Sequence, residues 1–192
     1  MLAVGSGALV AGNLVLAVNA LAGFVVTLFP WVGRRAWGIR LTSPIVLWLG
    51  VAVLFHTVGM AGWYETVWWW DHLTHTLSAA LLAALADTGI RLLAAASDRI
   101  TLPPAFRLVL VLVLTLAAGV LWEVMEFLGR MLATWYGHQP LLVQYGLADT
   151  VLDLAFDGLG ALLGTVGLGW GDRGPVVTWA VDRGAASNRK TP

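Results

Sequence analysis

The chain has 192 residues, 59% of them hydrophobic and only 11% charged, and its formal net charge is zero. A water-soluble domain carries about twice that charged share, so an ordinary soluble globule is excluded. The absence of cysteine removes disulfides, thiolate metal sites and thiol nucleophiles, and the balanced charge gives nucleic acid no footing. Ten of the eleven cationic residues are arginine and the one lysine, Lys190, lies in the C-terminal tail, which excludes a membrane-embedded lysine Schiff base.

Several apolar runs reach the ~20 residues needed to cross a bilayer, so the expected fold is all-α: a polytopic bundle of about five transmembrane helices. Met1 to Val10 holds no Lys or Arg and does not resemble a cleaved signal. The first run goes from about Val4 to Phe29, ends at Pro30, and is followed by the basic loop WVGRRAWGIR. The second covers roughly Pro44 to Gly62 and contains His56; the connection WYETVWWWD carries Glu65 and no basic residue. The third runs from about Asp71 to Ala96, before the basic stretch SDRITLPPAFR, whose Pro103–Pro104 pair suits the opening of a helix. The fourth, about Ala105 to Trp135, is longer than a bilayer requires and must tilt or project. After YGHQPLLVQYG comes the fifth run, about Leu147 to Trp170. Residues 1–171 are read as the bundle and 172–192 as a flexible cytoplasmic tail with an apolar patch near Val176 to Val181.

Arginines fix the expected orientation. Arg34, Arg35 and Arg40 lie between runs one and two, Arg99 and Arg107 between three and four, and Arg173, Arg183, Arg189 and Lys190 after run five. The other connections have only Arg130 at their edge, so the N-terminus is expected outside and the C-terminus in the cytoplasm. Trp31, Trp37, Trp63, Trp68, Trp69, Trp70, Trp135 and Trp170 fall near run ends and are read as an interfacial belt.

Within that frame the embedded ionisable residues converge on one depth. Asp149, Asp153 and Asp157 recur every four residues and drift by only about 40° per step, so they share one stripe of a helix. Asp71 and His75 are at i, i+4 and Glu123 and Glu126 at i, i+3, each pair on one face. Counting along the helices puts Glu123 and Glu126 roughly 12 to 18 Å below Trp135 and His56 about 10 Å below the Trp63–Tyr64 level. Carboxylates and imidazoles without sulfur suit Zn, Mn or Fe, or Mg with water completing its shell, and facing helices are a known way to hold two such ions. The expected ligands are Asp71, His75, Glu123, Glu126, Asp149, Asp153, Asp157 and His56, with Glu123 or Glu126 also the candidate general base.

Plainer roles stand beside these. Asp71 and Asp149 sit where helices begin and suit N-caps. Glu126 has Arg130 at i+4, and Asp87 has Arg91 at i+4, which makes a simple salt bridge. His72 lies about 60° round the helix from His75, and His138 is read as a solvated loop residue.

DHLTH (Asp71 to His75), GVLWEVMEF (Gly119 to Phe127) and ADTVLD (Ala148 to Asp153) together resemble the YjdF-like family of small prokaryotic inner-membrane proteins, distantly similar to the VanZ-like proteins. The likeness covers about helices two to five. It implies an inner-membrane location and a polar signature of Asp71, His75, Glu123, Asp149 and Asp153, and it names no reaction. The stripe Asp149-x3-Asp153-x3-Asp157 also resembles the aspartate-rich motifs of membrane prenyl and phosphatidyl transferases, but their second aspartate-rich motif or DG-x2-AR element does not occur here.

The leading expectation is therefore a membrane metalloprotein, hydrolytic or redox, acting near the outer leaflet on a lipid or lipid-soluble molecule. Proton or cation transport and a non-catalytic assembly role are the competing readings. The orientation is tested readily, because the chain has no cysteine. In intact cells a membrane-impermeant maleimide should label His138→Cys and should reach Ser97→Cys only after lysis; the opposite pattern reverses the topology.

Overall fold

A backbone in hydrocarbon must satisfy its own polar groups, and uninterrupted apolar runs do so as helices. The computed structural model describes residues 1–96, 100–142, 144–169 and 177–179. Its helices are α1 (Leu2–Val10), α2 (Leu14–Thr27), α3 (Phe29–Ala36), α4 (Ser43–Val58), α5 (Tyr64–Thr66), α6 (Trp70–Ala95), α7 (Pro104–Tyr136) and α8 (Leu147–Gly164). π-Helical turns follow α4 at Gly59–Trp63 and α8 at Thr165–Gly169. Five helical stretches are long and apolar enough to span a membrane: Leu14–Ala36, Ser43–Thr66, Trp70–Ala95, Pro104–Tyr136 and Leu147–Gly167. Large apolar side chains such as Leu47, Val113, Leu121 and Leu163 are exposed, as a lipid-facing surface requires.

The first expected run is corrected. It is not one span from Val4 to Phe29: Gly12, with φ +72°, turns the chain, and α1 folds back along α2. Gly5 permits the contact, since a Cβ there would lie 3.4 Å from the Cβ of Ala20. Met1 thereby reaches Thr57 of α4, whose hydroxyl is 3.1 Å from the methionine sulfur. Nor does Pro30 end the helical structure. It occupies the first turn of α3, where a missing N–H costs little, so Arg34 and Arg35 are helical and not in a loop.

Below α3, Ile39–Leu41 (β1) pairs antiparallel with Val177–Trp179 (β2), in the register Ile39↔Trp179, Arg40↔Thr178 and Leu41↔Val177. This strand falls within the apolar patch of the expected tail; the remainder of residues 172–192 lies outside the described residues.

The bundle is built on α6. Helix α8 lies against it so closely that a Cβ on Gly160 would strike the Thr76 carbonyl and one on Gly164 the Ala80 backbone. Small residues at i, i+4 allow such backbone approach between membrane helices, where packing and not exclusion of water drives association. Helix α7 packs on both α6 and α8, with Ala83, Ile90, Val111 and Ala161 forming one buried cluster. Helix α4 meets the other side of α6 through Ile45, Leu81 and Ala84, and carries α2 with it. At the end of α6 remote from Trp70, buried Asp87 accepts from Arg91 Nε at 2.7 Å and lies 2.9 Å from Arg107 Nε. Arg107 thus joins the pair expected from sequence and clamps α6 to α7.

Replacing Gly160 or Gly164 with Val should force α6 and α8 apart and destabilise the protein by about 1–3 kcal/mol or more. Thermal unfolding in detergent should show this as a clear loss, whereas Gly158→Ala, whose added Cβ makes only an ordinary 3.9 Å contact, should be tolerated.

Candidate metal centre

The α6–α8 contact sets the polar groups face to face. Asp153 and Asp157 lie on the same side of α8 as Gly160 and Gly164, so the close approach of backbones carries both carboxylates onto the first turns of α6. Asp157 Oδ1 is 3.1 Å from Nδ1 of His75, and Asp153 Oδ1 is 3.5 Å from Nδ1 of His72. Nε2 of His75 faces the opposite way, 3.8 Å from Asp71 Oδ1 and 3.9 Å from Glu123 Oε1 on α7. Ligand atoms of Asp71, His75 and Asp153 all lie within 4.8 Å of one another. Donors around one tetrahedral ion at about 2.0–2.2 Å sit ~3.3–3.6 Å apart, so the widest separation would close by about an ångström on binding.

The electrostatics of this layer are unbalanced. Asp153, Asp157, Glu123 and Glu126 are buried, and Glu123 Oε1, Asp153 Oδ1 and Asp157 Oδ2 have no hydrogen-bond partner. A carboxylate away from water is costly unless it is paired or coordinated. Arg130 does not supply the pairing with Glu126 that its spacing suggested. It turns away to donate from Nη1 to the Gln144 carbonyl at 2.6 Å. Among the described residues, the ion-pair partners of these acids are His72 and His75 alone.

Hydrogen bonds fix several members in place. Thr150 donates to Glu123 Oε2 at 2.7 Å and receives from Gln144 Nε2 at 3.1 Å. Gly119 makes room for Asp157, whose carboxylate would collide with any Cβ at that position. Asp71 is not an N-cap. Trp69 holds that position and makes no side-chain cap, which leaves the Asp71 carboxylate to the cluster. Asp149 stands at the edge, accepting from the Tyr145 amide at 3.0 Å, and so ties the incoming loop to α8. Tyr145 itself lies outside the spans, and its phenol is held up at about 12 by burial and then by Glu65, Asp71, Asp149 and Glu126.

Across from the acids lies a second wall without carboxylates. His56 Nδ1 is 3.0 Å from the Tyr64 hydroxyl, and its Nε2 is 3.5 Å from Asn19 Oδ1 on α2. Between the walls a cavity of about 660 Å³ is lined at this level by Asn19, His56, Tyr64, Asp71, His75 and Glu126. His56 thus faces the cluster without joining the group of close ligand atoms.

The sequence reading missed Tyr64, Asn19, Thr150 and the engagement of His72. Tyr64 was masked by the surrounding aromatics. A positive φ of +110° at Gly62 reverses the chain, and Gly59 leaves space for the tyrosine ring to turn inward. His72 and His75 are both used because α8 runs alongside α6, with Asp153 at His72 and Asp157 at His75, so an angular separation along one helix did not exclude a shared partner helix. The aromatic belt also needs one correction. Trp31, Trp37, Trp63, Trp68, Trp69 and Trp135 are exposed, but Trp70 is buried, stacks on Phe55 and donates to the Phe55 carbonyl at 3.0 Å. Trp170 lies outside the described residues.

Fold and site define an integral membrane protein, mostly helical, with a partly buried Asp/His/Asp group that could hold a metal ion. Residues 1–173 match the family described as "Predicted membrane protein (DUF2238)", and the chain belongs to that family. The YjdF-like resemblance is compatible with this assignment. No curated protein and no solved structure matches the chain.

The Gly119–Asp157 contact gives a local test. Gly119→Ala should push Asp157 off His75 and lower stability in detergent by about 1–3 kcal/mol. Gly129→Ala on the same helix, where an added Cβ meets nothing within 4 Å, should leave the unfolding temperature unchanged or raised.

Proposed function

We propose that the protein is a divalent-metal-binding membrane hydrolase acting at the outer leaflet of the plasma membrane on a lipid-like substrate. One observation supports this most directly. The Asp157 bond at His75 Nδ1 leaves Nε2 directed at Asp71 and Glu123, and an Asp153 oxygen lies within 4.8 Å of the ligand atoms of His75 and Asp71. A carboxylate behind a histidine is the usual support of a metal-ligating imidazole, fixing its tautomer and orientation. Asp71, His75 and Asp153 are then the ligands, Glu123 a further or bridging one, and Asp157 and His72 their supports. This donor set suits Zn, Mn or Fe better than a softer ion.

A metal so held would lower the pKa of a coordinated water and supply a nucleophile at neutral pH. Glu126 is the residue for the general base, because it lines the cavity while Glu123 is engaged with Thr150 and His75. The same donors would serve a redox metal. Hydrolysis is preferred because the Glu126 carboxylate lines the cavity beside the candidate ligands. Transport is less well supported: beyond the acidic layer the cavity wall turns to Leu49, Leu81, Leu82 and Leu85, and Asp87 is engaged by two arginines. The outer-leaflet location rests on the arginine distribution among the loops.

Elemental analysis of the detergent-purified protein tests the reading. Stoichiometric Zn, Mn or Fe is expected, lost in His75→Ala and Asp153→Ala and retained in Glu126→Gln. Absence of metal from the folded wild-type protein, or identical content in the two ligand variants, overturns it.

A further inference from the structure

The cavity continues well past the polar layer, and its shape and lining identify what it would hold. From the level of Asp71 and His75 it extends along α6 to Leu85, ten residues beyond His75. At 1.5 Å per residue that is about 15 Å. Half the hydrocarbon thickness of a bilayer is also about 15 Å, so the slot has the length of one leaflet's acyl chain. Its volume of about 660 Å³ lies inside the roughly 300–1,000 Å³ range of small-ligand sites. Val26, Val53, Leu81, Leu82 and Leu85 make this far part apolar.

Its walls also indicate how such a chain would enter. One side is α2 and α4, the other α7, and α6 forms the floor. At the polar end the two sides meet in the edge contact of His56 with Trp122, and Asn19 Nδ2 donates to the Leu141 carbonyl of the α7–α8 connection at 2.8 Å. Further along, exposed Val26 and Leu82 rim the slot, so it faces the acyl chains of the surrounding bilayer and not the aqueous phase.

We infer that this cavity is a binding site for a single-chain lipid, its oxygen-bearing head group held at the metal centre between the two walls and its tail laid along α6. This rests on the metal reading for the head and on the cavity alone for the tail. The acids of the first wall would repel an anionic head, so a phosphate or carboxylate would be held through the metal. His56 and Tyr64 supply hydrogen-bonding groups that are not carboxylates on the other wall. Tyr64 is therefore assigned a positioning role toward the head group, and not toward the metal.

Photo-crosslinking separates the parts of this proposal. Hexadecyl phosphate and palmitate, each with a diazirine in the tail, are the probes, used on the full chain reconstituted in vesicles and mapped by mass spectrometry. Labelling is expected at Val53, Leu81, Leu82 or Leu85 for at least one probe, and the arm that labels identifies the head chemistry. Ala22→Phe and Ala118→Phe, which fill the slot from opposite walls, should each abolish the labelling with metal content unchanged. Tyr64→Phe should weaken binding about threefold to tenfold, again with metal retained. Labelling spread over outward residues such as Val113 and Leu121, or unchanged in both filled variants, overturns the proposal. Slot labelling in a protein without metal upholds the lipid site and overturns the metal reading; stoichiometric metal with no slot labelling does the reverse.

Discussion

The close approach of α6 and α8 is the constraint on which the rest of the structure depends. Gly160 and Gly164 let the two backbones meet without intervening side chains, and the helix periodicity places Asp157 and Asp153 one and two turns before Gly160 on the same face. With bulkier residues at the crossing, those carboxylates would stand several ångströms from His72 and His75. The same approach allows α7 to lie across both helices and bring Glu123 to the third side of the histidine. Packing of small residues and convergence of charge are therefore one event in this protein.

That event is electrostatically unfavourable by itself. Coulomb repulsion between like charges about 4 Å apart is only ~1 kcal/mol in water and several-fold larger in a less polarisable interior. The chain has arginines available, but it uses them elsewhere: Arg130 secures a loop, and Arg91 and Arg107 gather on Asp87 at the far end. The two arginines at Asp87 show that this sequence can neutralise a buried acid with guanidinium where structure alone is at stake. At the α6–α8 end it supplies imidazoles instead, the side chains that combine with carboxylates as metal ligands. The contrast between the two ends favours a bound cation over a set of incomplete salt bridges.

Much of this was legible in the residues. Hydropathy gave the spans, since a long apolar run has few alternatives to a helix. The four-residue spacing of the aspartates and the Asp71–His75 pair gave two walls of the site, because both depend only on helix geometry. What escaped depended on events between elements. The folding back of α1 turns on one glycine in an apolar run that is otherwise uniform in hydropathy, and hydropathy does not see backbone handedness. Tyr64 enters the site only because a π turn with Gly59 and Gly62 redirects it, whereas by composition it belongs to an aromatic belt. Arg130 and Glu126 have the spacing of a pair, yet the Gln144 carbonyl competes for the guanidinium, and a carbonyl fourteen residues away is invisible to an i, i+4 rule. Asp71 similarly occupies a helix start without capping it.

The division of the cavity into unlike walls follows from the same architecture. Helices α6, α7 and α8 contact one another directly and carry all the ionisable ligands, so the acidic side is one tightly packed unit. Helices α2 and α4 join that unit mainly through α4 against α6, and contribute the Asn19 amide, His56, which is hydrogen-bonded to Tyr64 of α5, and apolar side chains. On the proposed reading, metal ligation, which needs sub-ångström placement, would fall to this directly packed three-helix unit. Accommodation of a long apolar molecule tolerates small displacements, because dispersion contacts are numerous and individually weak. It falls to the wall formed with the more loosely attached pair. On the proposed reading, an ion would be held by the unit fixed through backbone contact and a lipid admitted beside the unit attached through side chains.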